Sequence, residues 1–215
     1  MADEPRSLAQ VRAAYDRIGS HFAKTRANPW PEVEAFLADR TGRVGLDVGC
    51  GNGRHTAVLA ERVETAVGLD VSRALLAAAR ERVRGVELLQ GEASALPLAS
   101  NSVSLALYVA TLHHLPDRAT RRASLDELAR VLTPDGRALV SAWSTAHDRF
   151  DASREDEAGF DTTVDWTLPD GETVPRFYHI YAPAEFERDI AASALAVESV
   201  VVSSGNCYAT VSGSE

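Results

Sequence analysis

Leu46-Asp47-Val48-Gly49-Cys50-Gly51-Asn52-Gly53 closes a short apolar stretch and opens a helix-like one, and Asp70 ends the next apolar stretch. That layout describes a nucleotide-type cofactor held at the ends of two neighbouring parallel strands. The glycines are spaced G-x-G-x-G, and Arg54 stands where a dinucleotide fingerprint needs its third glycine. A dinucleotide requires bare backbone at a helix N-terminus to meet its pyrophosphate. A ligand without phosphates requires only a tight turn. Asp47, just before the turn, suits a cationic ligand rather than an anionic one.

The rest of the chain reads as one α/β domain spanning 1–215. Residues 1–7 are expected to be disordered, and 8–27 to form a helix with Val11, Tyr15, Ile18 and Phe22 on one face. A second helix begins at Pro31 and carries Val33, Phe36 and Leu37. Strands are expected at 44–48, 66–70, 86–90, 103–110 and 137–143, with helices at 53–62, 72–83 and 118–132, the last stopped by Pro134. Strands alternating with helices imply a doubly wound, mostly parallel sheet with helices on both faces. Residues 144–175 lack periodicity and read as an inserted lid. A short aromatic stretch, 176–181, a helix at 183–194 and a hairpin turning at Ser203-Ser204-Gly205-Asn206 complete the chain.

Composition bounds the function classes. There is no long apolar run and no basic n-region followed by an apolar h-region, so a cytoplasmic protein without a membrane span is expected. Cys50 and Cys207 form neither a disulfide framework nor a metal pattern. The chain has 22 basic and 31 acidic residues, a net charge of −9. Lys24 is the one lysine. Acid-rich, lysine-poor composition resembles proteins of salt-loving archaea, though a GC-rich genome would also favour arginine. The acidic balance argues weakly against nucleic-acid binding. Strong screening at high salt makes a local arginine patch matter more than net charge.

The Asp47–Gly53 turn, the Gly68-Leu69-Asp70 strand end and an acidic residue after the third strand resemble the class I S-adenosylmethionine-dependent methyltransferases. The resemblance spans about residues 40–145. It implies a Rossmann-like, seven-stranded sheet with a closing antiparallel strand, and S-adenosyl-L-methionine as cofactor. Tyr15, Arg26, Asp47, Gly49, Cys50, Gly51, Asn52, Gly53, Asp70, Val71, Glu92, Ala93, Val109 and His113 are then the expected cofactor-binding residues. Asp70 should accept the ribose hydroxyls, with a helix cap as its alternative role. Glu92 should approach the adenine amine, or else stand solvated. Asp47 should either organise the turn or meet the cofactor's ammonium.

His113-His114 follows the fourth strand, at the switch-point crevice where ligands bind. Neighbouring side chains there are expected to face apart, His113 toward the cleft and His114 beneath; two structural histidines is the alternative. No metal ligand set is expected.

Two outer segments narrow the resemblance. Tyr15-Asp16-Arg17-Ile18 through Asn28-Pro29-Trp30-Pro31, and Val174-Pro175-Arg176-Phe177-Tyr178-His179-Ile180-Tyr181, together with Leu112-His113-His114 and Ser141-Ala142-Trp143, resemble the eukaryotic tRNA wobble-uridine methyltransferases. That family esterifies 5-carboxymethyluridine in the anticodon loop. Phe177 departs from its commoner tyrosine, and the acidic insert is shorter. The resemblance implies residues 8–40 as a cap over cofactor and substrate, and Arg26, His113, Trp143, Arg176, Tyr178 and His179 as catalytic candidates. A carboxylate is its own nucleophile, so cations and donors, not a base, are needed to hold it. The tRNA anticodon loop is the implied substrate. A small zinc-binding activator is the implied partner in a heterodimer, pairing along edge strand 86–90. Two other readings are a small-molecule methyltransferase acting on a quinone or lipid-like ring, and a non-catalytic cofactor-binding subunit.

Overall fold

The computed structural model describes residues 7–150 and 157–213. The disorder expected at 1–7 therefore lies outside the described residues except at Ser7. Ser7 accepts the Gln10 N–H while the Gln10 side chain accepts the Ser7 N–H, a reciprocal cap that starts helix α1 (Leu8–Lys24). Helix α2 (Pro31–Leu37) begins on proline, whose fixed φ suits the first turn.

Seven strands follow the expected α/β order: β1 (Gly42–Val48), β2 (Val63–Asp70), β3 (Val86–Gln90), β4 (Val103–Tyr108), β5 (Leu132–Trp143), β8 (Ala196–Ser203) and β9 (Asn206–Ser212). They form one sheet in the order β3-β2-β1-β4-β5-β9-β8. Neighbours from β3 to β5 are parallel, and β9 runs antiparallel to both β5 and β8. The order reverses between β1 and β4, which opens the crevice at the strand carboxyl ends.

Side-chain alternation shows why helices cover both faces. Leu105 and Leu107 of β4 pack with Val33, Phe36 and Leu37 of α2 and Leu59 of α3 (Arg54–Ala60). Ala106 and Tyr108 point the other way, into a core with Leu125 and Leu128 of α5 (Arg118–Val131) and Phe186 and Ile190 of α6 (Pro183–Ala191). Strands buried on both faces are mainly apolar; in β4 Ser104 is the one polar residue before Tyr108, its hydroxyl bonded to the β1 backbone. Helix α4 (Arg73–Arg82) starts at Ser72, whose hydroxyl accepts the Leu75 N–H.

Two expectations need correction. The turn expected at Pro134–Gly136 is an irregularity inside β5: pairing with β4 shifts register between Val103–Leu132 and Leu105–Arg137. The lid expected at 144–175 contains regular structure. Strands β6 (Phe160–Thr167) and β7 (Thr173–Ile180) form an antiparallel hairpin outside the main sheet. Its threonines and aspartates hide the apolar period, and its order comes from packing on α1: Trp166 donates to His21 Nδ1 at 3.1 Å and lies 5.2 Å from the Phe22 ring. Residues 151–156 of that stretch lie outside the described residues.

Candidate active site

The glycine turn lies between the ends of β1 and β2. The N–H groups of Gly49 and Cys50 donate to the Leu69 carbonyl at 2.7 and 2.9 Å, which folds the chain back sharply. Gly49 has φ +71°, and a Cβ there would meet Thr111 at 2.1 Å. Gly51 has φ +56° and open space where a Cβ would be, a cradle of backbone facing the cavity.

Asp70 closes this cradle. Its Oδ2 accepts the Gly51 N–H at 2.8 Å and its Oδ1 the Ser72 N–H at 2.8 Å. Burial pushes its carboxyl up to about 6 against those bonds. Val71, Ala93 and the exposed Glu92 continue the same wall.

Asp47 and Gly53 do not line this cavity. Asp47 is buried beneath the turn, where its Oδ2 accepts the Thr56 hydroxyl at 2.6 Å, and burial raises it to about 7. Through that bond it ties β1 to α3. Gly53 packs against Val83 and Ala79, at the contact between α3 and α4. Asn52 does reach the cavity, but its amide donates to the Ala23 and Arg26 carbonyls, both at 2.9 Å, and so pins the end of α1 over the turn.

At the other end of the cavity, a 3₁₀ turn (Leu112–His114) brings His113 and His114 onto the wall together. The expectation that the two must face apart is wrong for this backbone, which rotates successive side chains by about a third of a turn instead of half. His113 Nδ1 accepts the Trp143 N–H at 2.9 Å, so its proton sits on Nε2. His114 Nδ1 donates to the Phe177 carbonyl at 3.0 Å, so its Nε2 accepts the Tyr15 hydroxyl at 2.8 Å. Burial drives both imidazoles far below their ordinary value, His114 to about 3. Both rings are neutral, and the acceptor nitrogen of each is already occupied.

Arg176 and Tyr178 alternate inward on β7, which puts His179 on the opposite face. His179 therefore does not join the cavity. Its Nδ1 meets Asp161 at 2.7 Å and its Nε2 meets Glu185 at 3.2 Å, tying the hairpin to α6. Arg176 is 6% exposed. It donates from Nη1 to the Tyr178 hydroxyl at 2.6 Å and lies 5.1 Å from the Trp166 ring. Its Nε is buried without a hydrogen-bond partner, and among the described residues no carboxylate pairs with it.

Tyr15, Arg26, Val109, Cys50 and Trp143 complete the expected set that the structure brings to one cavity of about 520 Å³. Trp30, Arg54, His55 and Tyr208 also line it and were not among the site residues expected from sequence. Arg54, directly after the turn, carried a signal in its position. Tyr208 carried none, since only the docking of β9 beside β5 brings it there. Among the described residues no group of three or more His, Cys, Asp or Glu is arranged to hold a metal ion. No described helix is long and apolar enough to cross a membrane.

Residues 46–140 match the family model described as a methyltransferase domain. The mouse tRNA (carboxymethyluridine(34)-5-O)-methyltransferase ALKBH8 is 36% identical over 62% of this chain and 20% of its own length. The protein of the same description from Schizosaccharomyces pombe is 30% identical over 74% of this chain and 68% of its own. This chain belongs to the S-adenosylmethionine-dependent methyltransferases. It spans only a fifth of the mouse relative's length. A chain from the complex between the Haloferax volcanii Trm112 methyltransferase activator and a putative methyltransferase shares the fold, with a TM-score of 0.72 and 15% identity over 95% of this chain and 98% of that one.

Proposed function

We propose that this methyltransferase esterifies the carboxylate of a 5-carboxymethyl-type uridine at the wobble position of a tRNA anticodon. The single observation that carries the reading is Arg176: a buried guanidinium on the cavity wall with no anionic partner among the described residues. A buried unpaired cation is costly, and a substrate carboxylate relieves it. Tyr178 and Trp166 hold the guanidinium plane, and the Tyr15 and His113 side chains stand on the same wall. The neutral histidines have no free acceptor nitrogen to act as base. A carboxylate nucleophile needs none; it needs to be stripped of water and aimed.

The residues fit S-adenosylmethionine. Asp70 would accept the ribose hydroxyls, the open Gly51 backbone would let the ligand lie close, and Val71, Glu92 and Ala93 would face the adenine. Arg26, stacked 4.7 Å from the Phe22 ring, would meet the ligand's carboxylate. When bound, the cofactor supplies a methyl group on a good leaving group.

The names of the mouse and fission-yeast relatives support the tRNA substrate. The Haloferax complex supports an activator partner. A small zinc-binding activator would pair along β3, one of the two edge strands of the sheet, where Leu88 and Leu89 are only half-buried. This reading carries with it a cytoplasmic location and, with the acid-rich, lysine-poor composition, a salt-loving archaeal host. A lipid-like ring would call for an oily acceptor pocket, and Arg26, Arg54 and Arg176 on the wall oppose it.

The test is methyl transfer from labelled cofactor into tRNA lacking the ester, with and without the activator, followed by digestion to nucleosides. A base-labile label on the wobble uridine is the expected outcome. Label entering a lipid extract and not tRNA would overturn the reading.

A further inference from the structure

Among the described residues five arginines of this acidic chain are ion-paired and the others are not, so it is the position of the unpaired ones that matters. Arg17, Arg118, Arg122, Arg130 and Arg137 each pair with a carboxylate. Arg26, Arg54 and Arg82 gather at one end of the cavity, and among the described residues none of the three has an ion pair. Arg54 lies on the cavity wall with its guanidinium 5.1 Å from the Trp30 ring centre. Arg82 donates to the Arg26 and Ala27 carbonyls, both at 3.1 Å, so its charge sits against the loop that carries Trp30.

The three charges feel one another. Burial, and then the neighbouring Arg26, push Arg54 down to about 10, with Arg82 adding to the effect. Asp47 pulls Arg54 the other way and Glu32 on the cavity wall is held below its ordinary value by its hydrogen bonds, but neither carboxylate forms an ion pair with the three arginines. Asp47 is buried under the turn and holds its proton up to about 7. Glu32 accepts from the Ser203 and Ser204 hydroxyls. A cluster of like charges with no ion-paired partner is an attraction for a polyanion. Three guanidinium groups on three separate elements exceed what one carboxylate can neutralise. Arg–indole stacking beside them also suits unpaired bases.

We propose that Arg54 and Arg82, with Trp30, form a docking rim for the phosphodiester backbone of the RNA strand flanking the nucleotide held in the cavity, Arg26 being taken by the cofactor's carboxylate. This assignment rests on the tRNA reading and names the residues that hold the polymer rather than the reacting carboxylate. Arg54 and Arg82 are positioning residues and touch no reacting atom.

The test measures binding of an anticodon stem-loop RNA against salt for wild type, R54Q, R82Q, R54K and the control R43Q, whose exposed side chain lies at the start of β1, away from the cavity. Each Arg→Gln change is expected to make the slope of log K against log salt shallower by about 0.7 to 0.9, one phosphate contact. R54K should keep the slope, and R43Q should match wild type. Affinity for S-adenosylhomocysteine, measured by calorimetry, should stay within twofold in all variants, which also reports that they fold.

Unchanged slopes in R54Q and R82Q overturn the rim, while methyl transfer into tRNA by the wild type would leave the functional reading standing. Loss of S-adenosylhomocysteine affinity without loss of slope overturns the rim differently, by assigning the cluster to the cofactor's carboxylate. RNA binding with the expected slopes but no methyl transfer into tRNA supports the rim and overturns the functional reading. No RNA binding by the wild type overturns both.

Discussion

The cavity has two walls of different origin. The wall at Gly49–Asn52 and Asp70 comes from one βαβ unit, is built mainly of backbone, and is tied by short bonds such as Gly51 N–H to Asp70 at 2.8 Å. The opposite wall is assembled from α1, the turn at Leu112–His114 and strand β7, and it presents aromatic rings and buried arginine. The first wall suits a ligand with a diol, held by Asp70 against bare backbone. The second holds a buried arginine with no carboxylate partner among the described residues, where the proposed reading seats the substrate carboxylate. Recognition of the cofactor and recognition of the acceptor are therefore separable by mutation.

The sharpest test of that separation is Arg176→Leu. Losing charge-assisted bonds to a substrate carboxylate is expected to lower kcat/KM about a thousandfold, on the order of 4 kcal/mol. Affinity for S-adenosylhomocysteine should stay within twofold. Thermal stability should not fall, because an unpaired buried charge leaves with the side chain. A lower Tm together with weakened cofactor binding would show that the two walls are not independent.

The reverse variant, Asp70→Asn, should weaken S-adenosylhomocysteine about fiftyfold, on the order of 2 kcal/mol, as measured by calorimetry. Acceptor KM should change little. A third expectation concerns pH. Hydroxyls donating to Asp70 favour its ionised form, and its carboxyl titrates at about 6 in the free protein. Cofactor affinity should therefore be flat above pH 7 and fall by up to tenfold per unit below pH 6, a dependence that Asp70→Asn removes.

The smallest effect is expected at the seam of the second wall. Tyr15→Phe leaves His114 Nε2 without its donor, at a cost of about 1 kcal/mol. It should lower Tm by a few degrees and raise acceptor KM, with cofactor affinity unchanged.

Much of the first wall was legible in sequence. The glycine spacing and Asp70 are local signals, since they lie within one strand-turn-helix-strand unit whose geometry hardly varies. Asp47 and Gly53, expected in the site, lie outside the cavity lining, because spacing along the chain does not say which way each residue of a turn faces. His179 lies outside it although its neighbours reach the cavity, because the period-two alternation of β7 turns it outward. The hairpin β6–β7 was read as a lid because Thr162, Thr163 and Asp165 blur its pattern. It is ordered through contacts to α1, more than a hundred residues away.

By itself the sequence determined the α/β class, the strand-and-helix order of the main sheet and the cofactor turn, because each follows from residue periodicity and backbone freedom within short windows. Only the tertiary structure decided which side chains share the cavity. It put Tyr208 and Arg54 on the wall, brought both histidines there, and gave Arg17, Arg118, Arg122, Arg130 and Arg137 carboxylate partners while leaving Arg26, Arg54, Arg82 and Arg176 with none among the described residues. The physical reason is that charge pairing and desolvation depend on distances between segments far apart in the chain, which no local pattern encodes.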